Sequence, residues 1–434
     1  MARRLPKIAV LLCGSFARAA QADSLIDIHV QETSTVQAHP SFRSGPDGGN
    51  SLNHRADAAA TNDVTLFVGV SPWHGGEFWF NPEIDQGFGL SDTLGVAGFT
   101  SGEAYKVGKL APYYRSQRAF FRQTVDIGGT EESVDGDINL HKANRRSDRL
   151  VVTLGKFSVG DIFDANSVAH DPKADFFNWT LIDTGTFDYA ADSWGYSAGG
   201  AAELYVGAWT VRGAVMALSN VPNGETLDLS FAQHQLIGEI EHRVQINQRP
   251  GVVRLTAFDS YGRMGRFDEA LALGVATNQA PSTALVRRYA HRAGVSVNAE
   301  QSISDTLSAF FRAGVADGSK ESYEFTDVDQ SIAAGFSLKG THWHRANDGV
   351  GAAFVVNDIS NARQAYLAAG GLGVLVGDGS LPHKRAESII ETYYRVGLAK
   401  WAQLTFDTQL VFNPAFNADR GPVLVGGIRL HLTK

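Results

Sequence analysis

Ala402-Gln403-Leu404-Thr405-Phe406-Asp407-Thr408-Gln409-Leu410-Val411-Phe412-Asn413 alternates between two kinds of side chain. Ala402, Leu404, Phe406, Thr408, Leu410 and Phe412 share one parity. Gln403, Thr405, Asp407, Gln409 and Asn413 share the other, with Val411 the lone apolar exception. A strand turns successive side chains to opposite faces, so a period of two held this long predicts a β-strand with one apolar and one wet face. The last segment repeats the pattern, with Leu424, Ile428, Leu430 and Leu432 opposite Arg429 and His431. A little upstream, Thr392, Tyr394 and Val396 oppose Glu391, Tyr393 and Arg395.

Working back through the chain, the same habit marks residues 26–30, 64–70, 150–157, 204–215, 236–244, 252–258, 289–297, 307–315, 332–338 and 349–356. Turn-rich stretches separate them, such as 219–224, 247–251 and 317–320. Most runs approach the roughly 9–11 residues with which a strand crosses a bilayer. A soluble sandwich also alternates, but here the wet faces carry Arg, Glu, Asp and Gln, as a water-filled lumen would. Aromatics stand near the expected strand ends (Phe80, Tyr205, Trp209, Tyr289, Tyr393, Tyr394, Trp401, Phe412), as interfacial girdles do. The expectation is an all-β chain: a transmembrane antiparallel β-barrel of about 16 strands with inward-folded loops. One helix is predicted over 360–369, closing at Gly370-Gly371, and no linker divides the chain.

Composition agrees. Of 434 residues, 44% are hydrophobic and only 19% charged, with 25 Phe, 12 Tyr and 7 Trp to bury, which excludes a disordered chain. A formal net charge of −8 speaks against nucleic acid as a partner. No apolar run reaches the roughly 20 residues of a membrane helix. Arg3, Arg4 and Lys7 followed by the apolar stretch from Ile8 to Cys13, with Ala20-Gln21-Ala22 beyond, predict a signal peptide over 1–22 and a barrel domain over 23–434. The single cysteine, Cys13, falls inside that signal, so neither disulfide nor thiolate chemistry is expected.

Catalytic patterns are weak. Gly195-Tyr196-Ser197-Ala198-Gly199 matches the G-x-S-x-G elbow, but β alternation resumes directly after it where the motif requires a helix. His342-Trp343-His344 lacks a third ligand nearby, and no H-E-x-x-H, P-loop or EF-hand spacing occurs. No metal site and no cofactor is expected, and the chain is not read as an enzyme.

Binding surfaces are better supported. On one face of 77–83 stand Glu77, Trp79, Asn81 and Glu83, an aromatic among acceptors and an amide, which suits the C–H face and hydroxyls of a sugar. Arg118, Phe120 and Arg122 share one face of 113–124, with Arg115 just ahead. Arginines inside a lumen are costly without a use, whether as an electrostatic constriction or in ion pairs with Glu103 or Asp161. Residues 161–192 break the alternation and are too long for a tight turn. In a large barrel such a segment folds inward and narrows the channel, which adds Asp161, Asp164 and Asn166 to the candidate path.

These segments resemble the carbohydrate-selective porins of the bacterial outer membrane, the OprB family. The resemblance rests on Q-A-H-P-S-F-R from Gln37, N-P-E-I-D-Q-G-F-G-L-S from Asn81 and A-G-F-T-S-G-E-A-Y-K-V-G from Ala97. It continues through R-A-F-F-R-Q-T-V-D-I-G-G from Arg118, F-D-A-N-S-V-A-H-D-P from Phe163, and N-P-A-F-N-A-D-R-G-P-V from Asn413. It implies a 16-stranded outer-membrane barrel and passive diffusion of monosaccharides and related small carbohydrates. Selection at the constriction would fall to Glu103, Arg115, Arg118 and Arg122. Implied partners are small carbohydrates and outer-membrane lipid, with self-association into a homo-oligomer left open. The chain departs from the family's usual aromatic ending with Leu432-Thr433-Lys434. Two other readings of the residues stand beside this one: an outer-membrane barrel enzyme acting on lipid or polymer, and a secreted β-sandwich lectin.

Overall fold

The computed structural model describes residues 25–104 and 107–434; the expected signal peptide over 1–22, with Cys13, lies outside them. Strands β1 (Ile26–His39), β2 (Asp57–Trp73), β3 (Gly76–Gly87) and β4 (Lys109–Val134) open the sheet. There follow β5 (Ala143–Phe157), β6 (Ser197–Val206), β7 (Trp209–Ala217) and β8 (His234–Ile246). Next come β9 (Arg249–Met264), β10 (Arg288–Ser302), β11 (Leu307–Ala316) and β12 (Gln330–Lys339). The last four are β13 (Gly349–Asp358), β14 (Glu387–Ala399), β15 (Ala402–Phe412) and β16 (Val423–Thr433). Each pairs antiparallel with its sequence neighbours, and β1 pairs with both β2 and β16, which closes the barrel. Closure leaves no edge strand and pairs the backbone within the ring, the condition for a sheet in lipid.

The alternation read from the sequence is the inside–outside code. In β15, Thr405, Asp407, Gln409 and Val411 point inward and buried, whereas Phe406 and Thr408 point out. Val411 is apolar on the inward face because it packs in an internal apolar cluster with Ile389, Val423 and Val425. Phe78, Phe80, Leu204, Ile240, Leu255, Phe311, Phe354 and Ile428 form part of an outward apolar belt. Two expectations need correction. Residues 204–215 are two strands, because Gly207, with a φ of 55°, turns the chain between Val206 and Trp209. Tyr205 and Tyr393 are not girdle residues: their parity faces them inward, where Tyr205 bonds Glu203 and Tyr393 packs on Phe176.

The two ends of the barrel differ. The start of β1, the end of β16 and the short turns, such as 207–208, 247–248 and 400–401, lie at one end, and the long connections, including 40–56, 158–196, 265–287 and 359–386, lie at the other. In outer-membrane barrels the short turns are periplasmic. Several long connections fold into the lumen. Residues 161–192 do so as the sequence predicted, and a single helical turn, α1 (Trp179–Ile182), is capped by Asn178 accepting from the Thr180 amide. A second helix, α2 (Phe267–Thr277), follows β9. The expected helix is α3 (Asn361–Ala368), with Ser360 accepting from the Arg363 amide.

An inward loop has no ladder to satisfy its backbone, so wall side chains must do it. Glu391 of β14 accepts from the Phe177 and Asn178 amides, and Glu239 of β8 accepts from the Asp164 amide. Arg312 donates to the Leu181 carbonyl, and Arg429 donates to those of Pro172 and Asp175. Aromatics fill the space between: Phe99 stacks on Trp179 at 5.3 Å, and Phe187 packs on Phe258 at 5.4 Å. Each such ring contributes about 1.5–3 kcal/mol of burial.

Candidate permeation pathway

The lumen left by these loops holds a cavity of about 730 Å³. One wall is the β4–β5 pair, and its geometry turns on Pro82. Pro has no amide to give the ladder, and the β3–β4 register slips there: Asn81 faces Arg118 but Pro82 faces Ser116. The extra residue lets Arg115 and Arg118, three apart, both face inward, which strict alternation would forbid. Gln117, fully buried at the bulge, donates to Glu83 at 3.1 Å.

Arg118 is fixed from two sides. Its Nε and Nη2 donate to the two Asp161 oxygens at 2.7 and 2.6 Å, and its guanidinium lies 4.9 Å from the Tyr196 ring centre. Arg115 lies 3.6 Å over the Trp194 ring and reaches Asp192 at 3.2 Å, where Lys156 also binds at 2.9 Å. Arg122 donates to the Asn139 carbonyl at 2.7 Å and stands 3.6 Å from Glu77. Phe120 lines the cavity between the two arginines.

Elsewhere on the cavity's lining the sign reverses. Glu83 and Glu103 line it together with Lys173, which binds Asp63 at 2.7 Å and Glu103 at 2.6 Å. Burial opposes the charge on Lys173, but Asp63, Glu103 and Glu83 outweigh it and hold the ammonium well above its usual range. Both ring nitrogens of His170 face acceptors: Nε2 the Gly160 carbonyl at 2.9 Å, and Nδ1 the Ile182 carbonyl at 3.3 Å and Asp183 at 3.4 Å. Burial again opposes the charge, yet Asp183 outweighs it and the pKa rises to about 9.

The structure thus brings Glu83, Glu103, Arg118, Phe120, Arg122 and Asp161 onto one cavity, with Arg115 behind its Trp194 lining. It separates the others. Trp79 lies between His29 at 6.4 Å and His141 at 4.8 Å and donates to Glu77 at 2.9 Å, so its faces are covered. Asn81 donates to Asn139 at 2.9 Å, beneath the tucked-in 135–142 connection. Asp164 and Asn166 do not line the cavity; they tie the inward loop to the wall through Asn298, and Asp164 also binds Thr184.

Several lining residues escaped the sequence reading. Gly195 and Tyr196, not Ser197, are the members of the G-x-S-x-G run on the cavity; Ser197 is buried in β6, donating to the Ala217 carbonyl at 2.6 Å. Lys173 lay unmarked in the segment read as inward. Arg149 and Arg212 sit at inward positions on strands whose alternation was read but whose wet residues were not followed. His342 and His344 lie at a short turn, where His342 meets Thr306, and no cluster of metal-ligating side chains occurs among the described residues.

A closed sixteen-stranded antiparallel barrel, with an apolar belt outside, long loops folded inward and charged walls around a cavity, defines an outer-membrane porin. More narrowly, the chain belongs to the family described as "Carbohydrate-selective porin, OprB family", whose model matches residues 51–433. Among solved structures, the high-pH structure of Pseudomonas putida OprB is similar at 16% identity, covering 94% of each chain with a TM-score of 0.70. The outer membrane channel DcaP of Acinetobacter baumannii is similar at 10% identity, covering 94% of this chain and 97% of its own, with a TM-score of 0.51. No curated protein sequence matches the chain. The chain is therefore a sugar channel of the bacterial outer membrane.

Proposed function

We propose that the selective step lies in the cavity lined by Arg118, Arg122 and Asp161 and by Glu83, Glu103 and Lys173, with Arg115 held behind its Trp194 lining. The observation that carries this reading is that guanidinium donors and carboxylate acceptors line one space of about 730 Å³. A sugar hydroxyl both donates and accepts, so a monosaccharide exchanges water for wall contacts of both kinds at little net cost. Binding stays weak and distributed, as passage requires. Glu77, Trp79, Asn81, Asp164 and Asn166 then act indirectly, by fixing the cavity floor and the inward loop.

The same reading takes the chain to act without catalysis. The one serine in an elbow-like motif, Ser197, gives its hydroxyl to a backbone carbonyl within β6–β7. Outer-membrane lipid covers the outward belt, and any association of barrels into a homo-oligomer would use part of that surface. The test is Arg118→Ala combined with Arg122→Ala in a planar bilayer. The reading expects higher conductance, passage of larger or cationic solutes and weaker block by glucose. Conductance and glucose block equal to those of the parent channel would refute the placement.

A further inference from the structure

Around the cavity, the basic residues differ in how completely they are paired. Arg118 has both oxygens of Asp161, and Arg212 has Glu203, Glu239 and Glu241 at 3.0, 2.7 and 2.9 Å. Further toward the short-turn end, on the inward face of β5, this compensation fails. Arg149 has as its nearest carboxylate Glu132 at 3.7 Å, itself half exposed, and otherwise donates to the carbonyls of Arg146 and Ser147. The Arg145 side chain has no hydrogen bond and no carboxylate within ion-pair distance among the described residues, although it lines the same cavity. The Nε atoms of both arginines are buried without partners, and so is the Thr153 hydroxyl on the same strand face.

A guanidinium withdrawn from bulk water needs an anion or acceptors to offset desolvation, and every other arginine considered on this cavity has a carboxylate within 3.6 Å. We infer that Arg145 and Arg149 form a subsite near the periplasmic mouth for the carboxylate of a monoanionic sugar acid. The carboxylate takes the donors that Arg145 leaves free. Tyr205, over which Arg149 lies at 4.0 Å, holds that guanidinium in place. The channel would then carry oxidised sugars as well as neutral ones. This inference rests on the proposed cavity being the sugar path.

The test uses the full barrel in a planar bilayer, with gluconate, glucose and inorganic phosphate added at the short-turn side. Gluconate is expected to block at lower concentration than glucose. Arg145→Gln should raise the ratio of gluconate to glucose blocking concentrations by about fivefold, in line with one lost charge-assisted hydrogen bond. Arg145→Lys, which keeps the charge and loses the fork, should fall between; heat-modifiable migration confirms that each variant is a folded barrel. A ratio that Arg145→Gln leaves unchanged overturns the inference. Phosphate blocking as well as gluconate also overturns it, since the site would then be a general anion site. Glucose that fails to block the parent channel strikes instead at the underlying sugar path.

Discussion

Arg118 and Asp161 meet in a two-pronged pair, at 2.7 and 2.6 Å, that ties the wall strand β4 to the inward segment 158–196. The pair does two things at once: it fixes the edge of the segment that narrows the lumen, and it neutralises a guanidinium on the cavity. Asp161→Asn keeps the volume and removes the charge. It is expected to raise anion over cation permeability, read as a shift of the reversal potential in a KCl gradient. Because Asp161 is nearly one-third exposed, the stability cost should stay within roughly 1 kcal/mol.

Lys173 is the mirror case. It sits between Asp63 and Glu103, so Lys173→Met leaves two carboxylates without their cation. Cation permeability should increase, with the reversal potential moving opposite to that of Asp161→Asn. The two substitutions together should nearly restore the parent selectivity, which a double-mutant cycle would read.

The inward segment should loosen when its clamp is cut. Glu391 accepts from the buried amides of Phe177 and Asn178, and Glu391→Ala strands both. Each unsatisfied amide costs about 1–3 kcal/mol. The barrel itself, held by its ladders, should survive, while limited proteolysis cuts within 158–196 faster and single-channel current becomes noisier.

His170 makes the same segment pH-dependent. Its folded pKa of about 9 lies above the ordinary value of 6.5. The stabilisation is therefore complete below about pH 6.5 and lost as pH rises through about 9. Neutral imidazole can donate from one nitrogen only, so either the Gly160 contact or the Ile182 and Asp183 contacts are forfeited. Current noise should rise between pH 8 and 10 in the parent channel, on the order of the pKa given above, and His170→Gln should flatten that dependence.

The lipid face offers a separate check. Phe406 sits mid-strand in β15, outward, between Tyr394 and Ile428. Phe406→Arg should lower the unfolding free energy in detergent or lipid by about 2–4 kcal/mol, the cost of a cation near the bilayer midplane.

How much of this was legible in the sequence follows from what has a period. Asp407 and Gln409 could be assigned to the lumen, and Phe406 to lipid, because the two solvents alternate with the side chains. Tyr393 and Tyr205 were misassigned because an aromatic near a strand end suits either an interface or a packed lumen, and only parity decides. Arg115 was placed only loosely beside Arg118, since the bulge opposite Pro82 shifts the phase between them. Lys173 and Tyr196 lie in segments with no period at all; their positions depend on contacts with Asp63, Glu103 and Arg118 that are distant in sequence. Trp79 suited a sugar platform on its own strand, and only the fold shows His29 and His141 against its faces.

Liposome swelling with the purified barrel tests the central claim most directly, comparing glucose with a neutral non-sugar osmolyte of equal size. Donors and acceptors lining one cavity predict faster swelling with glucose than with the control. Equal rates would contradict sugar selection and reduce the cavity to a sieve.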